Sequence, residues 1–410
     1  MTAAAVFDRF ACWVREGLFA PQVDDRRRIG MEIEMLPMLA ESALPCPLQG
    51  VEHPISTLGF LRPYGAAGEW REQRSAKGAP YFTLPNGWLV TFEPGGQLEL
   101  CTSPGESVTE LASEMTSILE PLRSAARDAG IELLSLGIDP VNDISRVPLQ
   151  LKSERYVAMT RYFNSIGPSG VRMMRQTAAT QVSVDAGGAP EVRWRLLSDL
   201  TPYLTAIFAN SSRYAGEDSG YRSFRAQCWR SLDPSRTGVP HPELPACEAY
   251  TRFALDAFDM TRTDEEGSYR AFGDWACRGE GTTAQWTNHL TTLFPEVRPR
   301  GHLEVRSIDA LPPEELVAPL ALLAGLTYDA QAAVEARTLV PGADEDLLNR
   351  AARCGLYDSD IASIATDLVQ IGLRGAARLG ERVIVAADVE RAADVTSDRM
   401  RRPSTAGSSG

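Results

Sequence analysis

Four short stretches of this chain set carboxylates, amides and an arginine at every second position. In a β-strand alternate side chains share a face. In Ile29-Gly-Met-Glu-Ile-Glu-Met-Leu36, Glu32 and Glu34 therefore point one way, and Met31, Ile33 and Met35 the other. By the same rule Gln97 and Glu99 oppose Leu98 and Leu100; Gln181, Ser183 and Asp185 oppose Val182 and Val184; and Glu304 and Arg306 oppose Leu303 and Val305. A solvated sheet face also alternates, but such faces favour lysine, threonine and serine. Acids, amides and an arginine instead suit hard cations and anionic groups. If Glu32, Glu34, Glu99 and Glu304 share one face, they repel one another by something on the order of several kcal/mol unless cations lie among them. Histidine is scarce (His53, His241, His289, His302), so the ligand set is oxygen-based and favours magnesium or manganese. Magnesium held by oxygens commonly accompanies nucleotide phosphates. Neither a G-x-x-x-x-G-K-[ST] nor a G-x-G-x-x-G string is present, which disfavours a P-loop or Rossmann site.

Glu93-Pro-Gly-Gly-Gln-Leu-Glu99 is the most unusual local string. Its paired glycines permit either close approach of the backbone to a ligand or a sharp hairpin turn. Arginines recur from Arg155 to Arg236, among them Arg172, Arg175, Arg222, Arg225, Arg230 and Arg236, in a chain whose lysines are Lys77 and Lys152 alone. Guanidinium forks fit carboxylate and phosphate oxygens and stabilise a transferring phosphoryl group. Arg222 and Arg230 read as ordinary surface residues. Arg225 and Arg236, flanked by Trp229 and the Asp233-Pro turn, are the candidates for a small anionic ligand.

The elements that must position these groups follow from periodicity. A first amphipathic helix spans about residues 5–20, and a strand covers residues 29–36. Residues 40–80 read as loop with a weak charged helix near Glu69 to Arg74. Strands Trp88 to Phe92 and Gln97 to Cys101 flank the Pro-Gly-Gly turn. A helix starts at the Ser107/Glu110 capping box and is expected to bend at Pro121. Strand Ile131 to Leu136, a helix over Arg155 to Phe163, a turn at residues 167–170, strand Thr180 to Asp185, helices near residues 191–211 and 246–259, and strand Leu303 to Ile308 follow. Beyond Pro313 an alanine- and leucine-rich stretch reads as packed helices to about Val395. The expected organisation is a single catalytic domain over residues 1–395, with a sheet unit at 25–310 and helical packing at 311–395, and a disordered tail at 396–410.

Composition bounds the setting. The net charge of −13 argues against nucleic acid and membrane surfaces as partners, since phosphate neutralisation needs basic excess. Seven scattered cysteines without a C-x-x-C pair argue against a disulfide framework and a structural zinc site. The start, with Asp8 and no basic-then-apolar pattern, does not read as a signal peptide, so the cytoplasm is the expected location.

Taken in order, these motifs resemble the type-2 glutamate-cysteine ligases of plants and many bacteria, including the ergothioneine-pathway branch. The resemblance runs through Ile29 to Glu34, Phe92 to Leu100, Arg155-Tyr156, Gly170 to Arg175, Thr177 to Asp185, Phe208 to Ser211, Gly220 to Gly238, Thr291 to Arg300 and Leu303 to Asp309. It implies an α+β, glutamine-synthetase-like fold in which an antiparallel sheet funnel holds ATP, metal ions and glutamate, surrounded by helices and followed by a helical C-terminal part. It also implies ATP-dependent joining of the glutamate γ-carboxylate to the amine of cysteine through a γ-glutamyl phosphate, in glutathione or ergothioneine biosynthesis. Carried over by position, Glu32, Glu34, Glu93, Glu99 and Glu304 are metal ligands for Mg2+ or Mn2+. Arg225, Arg236 and Arg306 act on glutamate or the transferring phosphate. Arg172, Arg175, Gln181, Asn210, Tyr156 and Trp229 contact substrates. Two departures stand out: Ile33 replaces a histidine of the plant enzymes, and Cys101 replaces an expected serine. Other readings are the same chemistry with another amine, a non-catalytic glutamate or nucleotide sensor, and a glycosidase using Glu93 and Glu99, which would need neither the arginines nor the further acids.

Overall fold

A computed structural model describes residues 1–22, 26–50 and 54–401. Its centre is a long strand, β1 (Ile29–Leu39). The hairpin strands β2 (Arg71–Arg74) and β3 (Pro80–Thr83) lead to β4 (Leu89–Phe92) and β5 (Leu98–Cys101), and β6 (Ile131–Leu134) and β7 (Ala179–Asp185) follow. After a small ribbon of β8 (Arg213–Tyr214) and β9 (Glu217–Asp218), the strands β10 (Val297–Pro299) and β11 (His302–Asp309) complete the set. The main sheet runs β10-β11-β7-β1-β5-β4-β3-β2, and β6 pairs with the far half of β1. Every pairing is antiparallel.

The period-two pattern decides which face is buried. Met31, Ile33, Met35, Val90, Leu98, Leu100, Val182, Val184, Leu303 and Val305 all enter one core. Helices Pro190–Ile207, Val317–Tyr328 and Val108–Asp128 pack on β11, β7 and β6. Val317–Tyr328 is apolar on every side because it is enclosed on every side. Gly325 is required there, since a methyl group on it would overlap the Gly372 carbonyl of the crossing helix Ser359–Leu379.

Several expectations hold, among them the Ser107 cap, whose hydroxyl accepts from Glu110 N, on a helix that runs through Pro121. Others are corrected. Residues 40–80 contain a helix, Thr57–Ala67, capped by Ser56 and buried through Leu58 and Leu61. Its two internal glycines and Pro63 hid that signal. Arg71–Arg74 is a strand, not a helix, because it pairs with β3 through a turn at Gly78 (φ +80°). Four consecutive exposed polar residues suit a sheet edge, where charge blocks further pairing. The turn expected at residues 167–170 is the start of helix Pro168–Gln176, with proline at its first turn. The last helix, Ala386–Arg401, passes the boundary drawn at residue 395, and residues 402–410 of the expected tail lie outside the described residues. All seven cysteines are free thiols.

Candidate active site

The second face of the sheet floors a cavity of about 550 Å³. Register explains how the acids meet. Glu34 lies directly across from Glu99, and Glu99 from Thr91. Glu32 lies between Gln181 and Cys101. Glu304 sits between Ser183 and Arg298. Glu93 enters from the β4–β5 turn, where Glu93 N donates to Gln97 O at 3.0 Å and Gly96 N to Glu93 O at 2.8 Å. Thus Glu32, Glu34, Glu93, Glu99 and Glu304 all line one cavity, with Gln97, Gln181, Arg155, Arg225, Arg298, Arg300 and Arg306.

The two glycines of that turn serve the protein rather than a ligand. A methyl group at Gly95 would overlap the Arg175 backbone, and Gly96 adopts φ +88° against the Gln150 side chain. The turn is thereby clamped to the end of helix Pro168–Gln176. Gln97 reinforces the clamp: its amide donates to Thr177 O at 2.9 Å and its carbonyl accepts from Gly95 N at 2.9 Å.

β11 bends where it matters. Val305 pairs with Val182 and Ile308 with Thr180, so Arg306 and Ser307 share the place of one residue. Such a bulge re-aims a side chain. Arg306 Nη1 lies 3.2 Å from Glu304, and Arg298 and Arg300 approach the same carboxylate at 3.4 and 4.0 Å. Trp229 stacks beneath both Arg225 (5.1 Å) and Arg306 (5.4 Å), and its indole N–H donates to Phe294 O at 2.8 Å.

Charge divides the cavity into two ends. At the β1/β5 end, burial first and Glu93 second push Glu34 up to about 8, although Ala179 N and the Gln181 amide donate to it. Burial and Glu304 push Glu32 up to about 7. Burial, then Glu32, Glu93 and Glu34, push Glu99 well above the carboxylate range, and burial also raises Glu93. Burial, then Glu99 and Glu32, push the Cys101 thiol up; its Sγ lies 3.0 Å from Glu99 Oε1. At the β10/β11 end burial is outweighed by Arg298, Arg306 and Arg300, which bring Glu304 down to about 2.

The donor set fits a hard divalent cation. Gln181 Oε1 is buried and accepts no hydrogen bond, and buried Glu304 Oε2 has the Arg298 ion pair at 3.4 Å but no hydrogen bond. Among the described residues no three acids converge tightly enough to enclose an ion by themselves. Magnesium commonly takes one or two carboxylates and completes its shell with water and phosphate.

A stability prediction follows from Glu32 and Glu34, two of the four raised acids. Glu32 and Glu34 bind protons more tightly folded than unfolded, so their contribution to stability is full below the unfolded value near 4.5 and is lost as pH rises through about 7 to 8. Glu304, already ionised above about 2, contributes no slope in that window. The chelated protein should therefore melt about 2–5 °C lower at pH 8.5 than at pH 6. Added Mg2+ should raise the melting temperature more at pH 8.5, because ligating carboxylates must be deprotonated. Thermal scans at both pH values with chelator or Mg2+ check this; an equal Mg2+ shift at the two would contradict it.

The remaining sequence candidates are placed as follows. Tyr156, Trp229, Gln181, Arg225 and Arg306 line the cavity. Arg236 does not: it is 0% exposed, and its guanidinium donates to Asp233, Thr292 O and Phe258 O. It thereby fixes the segment that carries Thr291 and Phe294 into the cavity. Arg172 lies against Tyr214, donating to its hydroxyl at 3.1 Å, and the Asn210 amide donates to Ser135 O and Ala310 O. Arg175 is half-buried behind the Gly95 contact. Arg230 and Arg222 lie outside the cavity, but Arg230 is not the surface residue expected: its side chain is 4% exposed and pairs with Glu296 at 2.7 Å, while Arg222, half-buried, stacks on Tyr357. Arg298 and Arg300 carried no role in the sequence reading. Their alternation in Val297-Arg298-Pro299-Arg300 was the available signal, obscured by a strand of three residues that ends in proline. Arg155, which donates to Thr291 O across the cavity at 2.7 Å, was seen only as part of a helix and a motif.

A funnel of antiparallel strands with carboxylates at one end and guanidiniums at the other defines a glutamine-synthetase-like ligase fold. Residues 28–408 match glutamate-cysteine ligase family 2, and the chain belongs to that family as an enzyme of its ligase class. The match continues through the C-terminal helices, beyond the part that motifs alone covered. The chain is 36% identical over 319 residues to glutamate-cysteine ligase EgtA of Mycobacterium tuberculosis, covering 71% of each chain. It is 32% identical over 324 residues to the chloroplastic glutamate-cysteine ligase of Brassica juncea, covering 72% of this chain and 62% of that one. Among solved structures, the glutamate-cysteine ligase of Francisella tularensis in complex with AMP shares the fold, with a TM-score of 0.51 at 11% identity over 92% of this chain and 82% of that chain. Among the described residues no single helix is long and apolar enough to cross a membrane.

Proposed function

We propose that the chain joins the γ-carboxylate of glutamate to the amine of cysteine at the expense of ATP, forming γ-glutamylcysteine. The observation that carries this reading is the two-ended cavity, with Glu34, Glu93 and Glu99 at one end and Arg298, Arg300 and Arg306 around Glu304 at the other. The reaction needs no protein nucleophile. A γ-carboxylate oxygen of glutamate attacks the γ-phosphorus as the bond to the ADP oxygen breaks; the amine then attacks the acyl carbon, phosphate leaves, and the nitrogen loses its proton. The work is positioning and charge neutralisation. Arg306, Arg298 and Arg300 hold phosphate oxygens, and Arg225, 3% exposed and braced by Trp229, holds a substrate carboxylate or the transferring group. Glu32, Glu34, Glu93, Glu99 and Glu304 would hold Mg2+ or Mn2+, which when bound would neutralise charge on the phosphates. Arg236 positions the Thr291–Phe294 wall. Tyr156 and Trp229 line the space left for the acceptor.

Family membership and the EgtA and plant relatives support cysteine as that acceptor. γ-Glutamylcysteine opens both glutathione and ergothioneine synthesis. Incubation with ATP, Mg2+, glutamate and a panel of amines tests the reading. Phosphate release should depend on glutamate and be strongest with cysteine; release that follows a different amine and ignores cysteine would replace the acceptor while keeping the chemistry.

A further inference from the structure

The family match begins at residue 28, yet the chain ahead of it reaches the site. Helix Ala3–Trp13 is followed by one π-helical turn, Val14–Leu18, and Trp13 and Leu18 from this pair line the cavity. The wider i→i+5 turn, closed by Phe19 N donating to Val14 O at 3.0 Å, adds a residue to the helical repeat, as such turns often do at functional sites.

The segment is fixed beside the arginine end. The Gln22 amide donates to Gly301 O at 2.8 Å, in the β10–β11 turn next to Arg300. Gln22 N donates to Gly187 O at 3.0 Å and Gly187 N to Gln22 Oε1 at 3.2 Å, beyond the end of β7. Trp13 meets the buried Trp286 edge-on, with centroids 6.3 Å apart at 90°, and Trp286 packs in turn against Phe10 at 4.4 Å with the planes tilted by 31°. Trp13 is itself only half-buried. With Leu18 and Leu290 it supplies apolar lining to a cavity that Arg298, Pro299 and Arg300 also line.

We propose that Trp13 and Leu18 form the platform for the base of the nucleotide whose phosphates Arg298, Arg300 and Arg306 hold. This rests on the ATP-dependent reading and adds a ligand contact to it. Of the three substrates only the nucleotide carries a flat ring, and an indole in the same cavity as the phosphate-binding guanidiniums, on a segment tied to the β10–β11 turn, suits both parts of that molecule. Glutamate and cysteine offer nothing for an indole to stack on, and the acids that would accompany them lie toward β1 and β5.

Steady-state kinetics of Trp13→Ala should show KM for ATP raised about ten-fold or more, the usual effect of removing an aromatic ring from a base. KM for glutamate and for cysteine should stay within about two-fold, and Trp13→Phe should retain most of the ATP affinity. Calorimetric titration with ADP on the full chain should show the same loss without turnover. Should Trp13→Ala fail to fold, Trp13→Leu, which keeps apolar contact with Trp286 but has no ring, carries the same test. An unchanged KM for ATP, or a rise confined to glutamate or cysteine, overturns the platform. A wild-type chain that neither turns over nor binds ADP overturns the ligase reading itself, so the two failures are distinguishable.

Discussion

Glu99→Gln should lower kcat by about 10³-fold while leaving the melting temperature of the metal-free protein unchanged or higher. Glu99 is 8% exposed, faces Glu34 across the β1/β5 pair, and accepts from Thr91 at 2.6 Å and from Cys101 at 3.0 Å. Glutamine keeps the volume and an oxygen for Thr91 and Cys101, so packing survives. It removes a charge that burial, Glu32, Glu93 and Glu34 all oppose, so the apo protein gains rather than loses. What the amide cannot do is neutralise a hard cation. Initial rates of phosphate release together with thermal scans check both halves. Activity within ten-fold of wild type would remove Glu99 from the ligand set.

Arg306→Ala should cost about 10³-fold or more in kcat, the range found when an arginine that meets transferring phosphate is removed. Arg306→Lys should recover only part of it, because an ammonium lacks the planar fork. The fold has support without this side chain: Glu304 keeps Arg298 and Arg300, and Trp229 keeps Arg225 at 5.1 Å. A circular dichroism spectrum like that of the wild type, with turnover lost, is the expected pair of observations. A variant that turns over normally would show that the bulge in β11 aims Arg306 for structural reasons alone.

The funnel was legible wherever strand period alone decides direction. Glu32 and Glu34 could be put on one face because nothing interrupts β1, and the antiparallel register then brought Glu99 opposite Glu34 and Gln181 opposite Glu32. Where a side chain's use depends on distant backbone, sequence gave no such lead. Arg236 looked like a ligand-binding arginine beside Arg225; its donors are taken by Asp233 and by two carbonyls far along the chain. Asn210, likewise, is held by Ser135 O and Ala310 O. Glycines 95 and 96 suggested a ligand at close range, but the close neighbours are Arg175 and Gln150, which no local pattern connects to them. Helix Thr57–Ala67 was lost to its own glycines and Pro63, since its stability comes from burial of Leu58 and Leu61 rather than from propensity.

The trio of guanidiniums around Glu304 has a consequence for affinity. Before any nucleotide arrives, Arg298, Arg300 and Arg306 already have an anion for company. On the proposed phosphate-binding role, phosphate would enter by partner exchange: it would not meet three bare cations, and its departure would not leave three behind. On the proposed metal role of Glu304, that internal partner would be drawn away just when the guanidiniums are wanted elsewhere. Such an arrangement would limit how tightly the product nucleotide is retained, so that turnover would not be throttled by the charge that makes phosphoryl transfer possible.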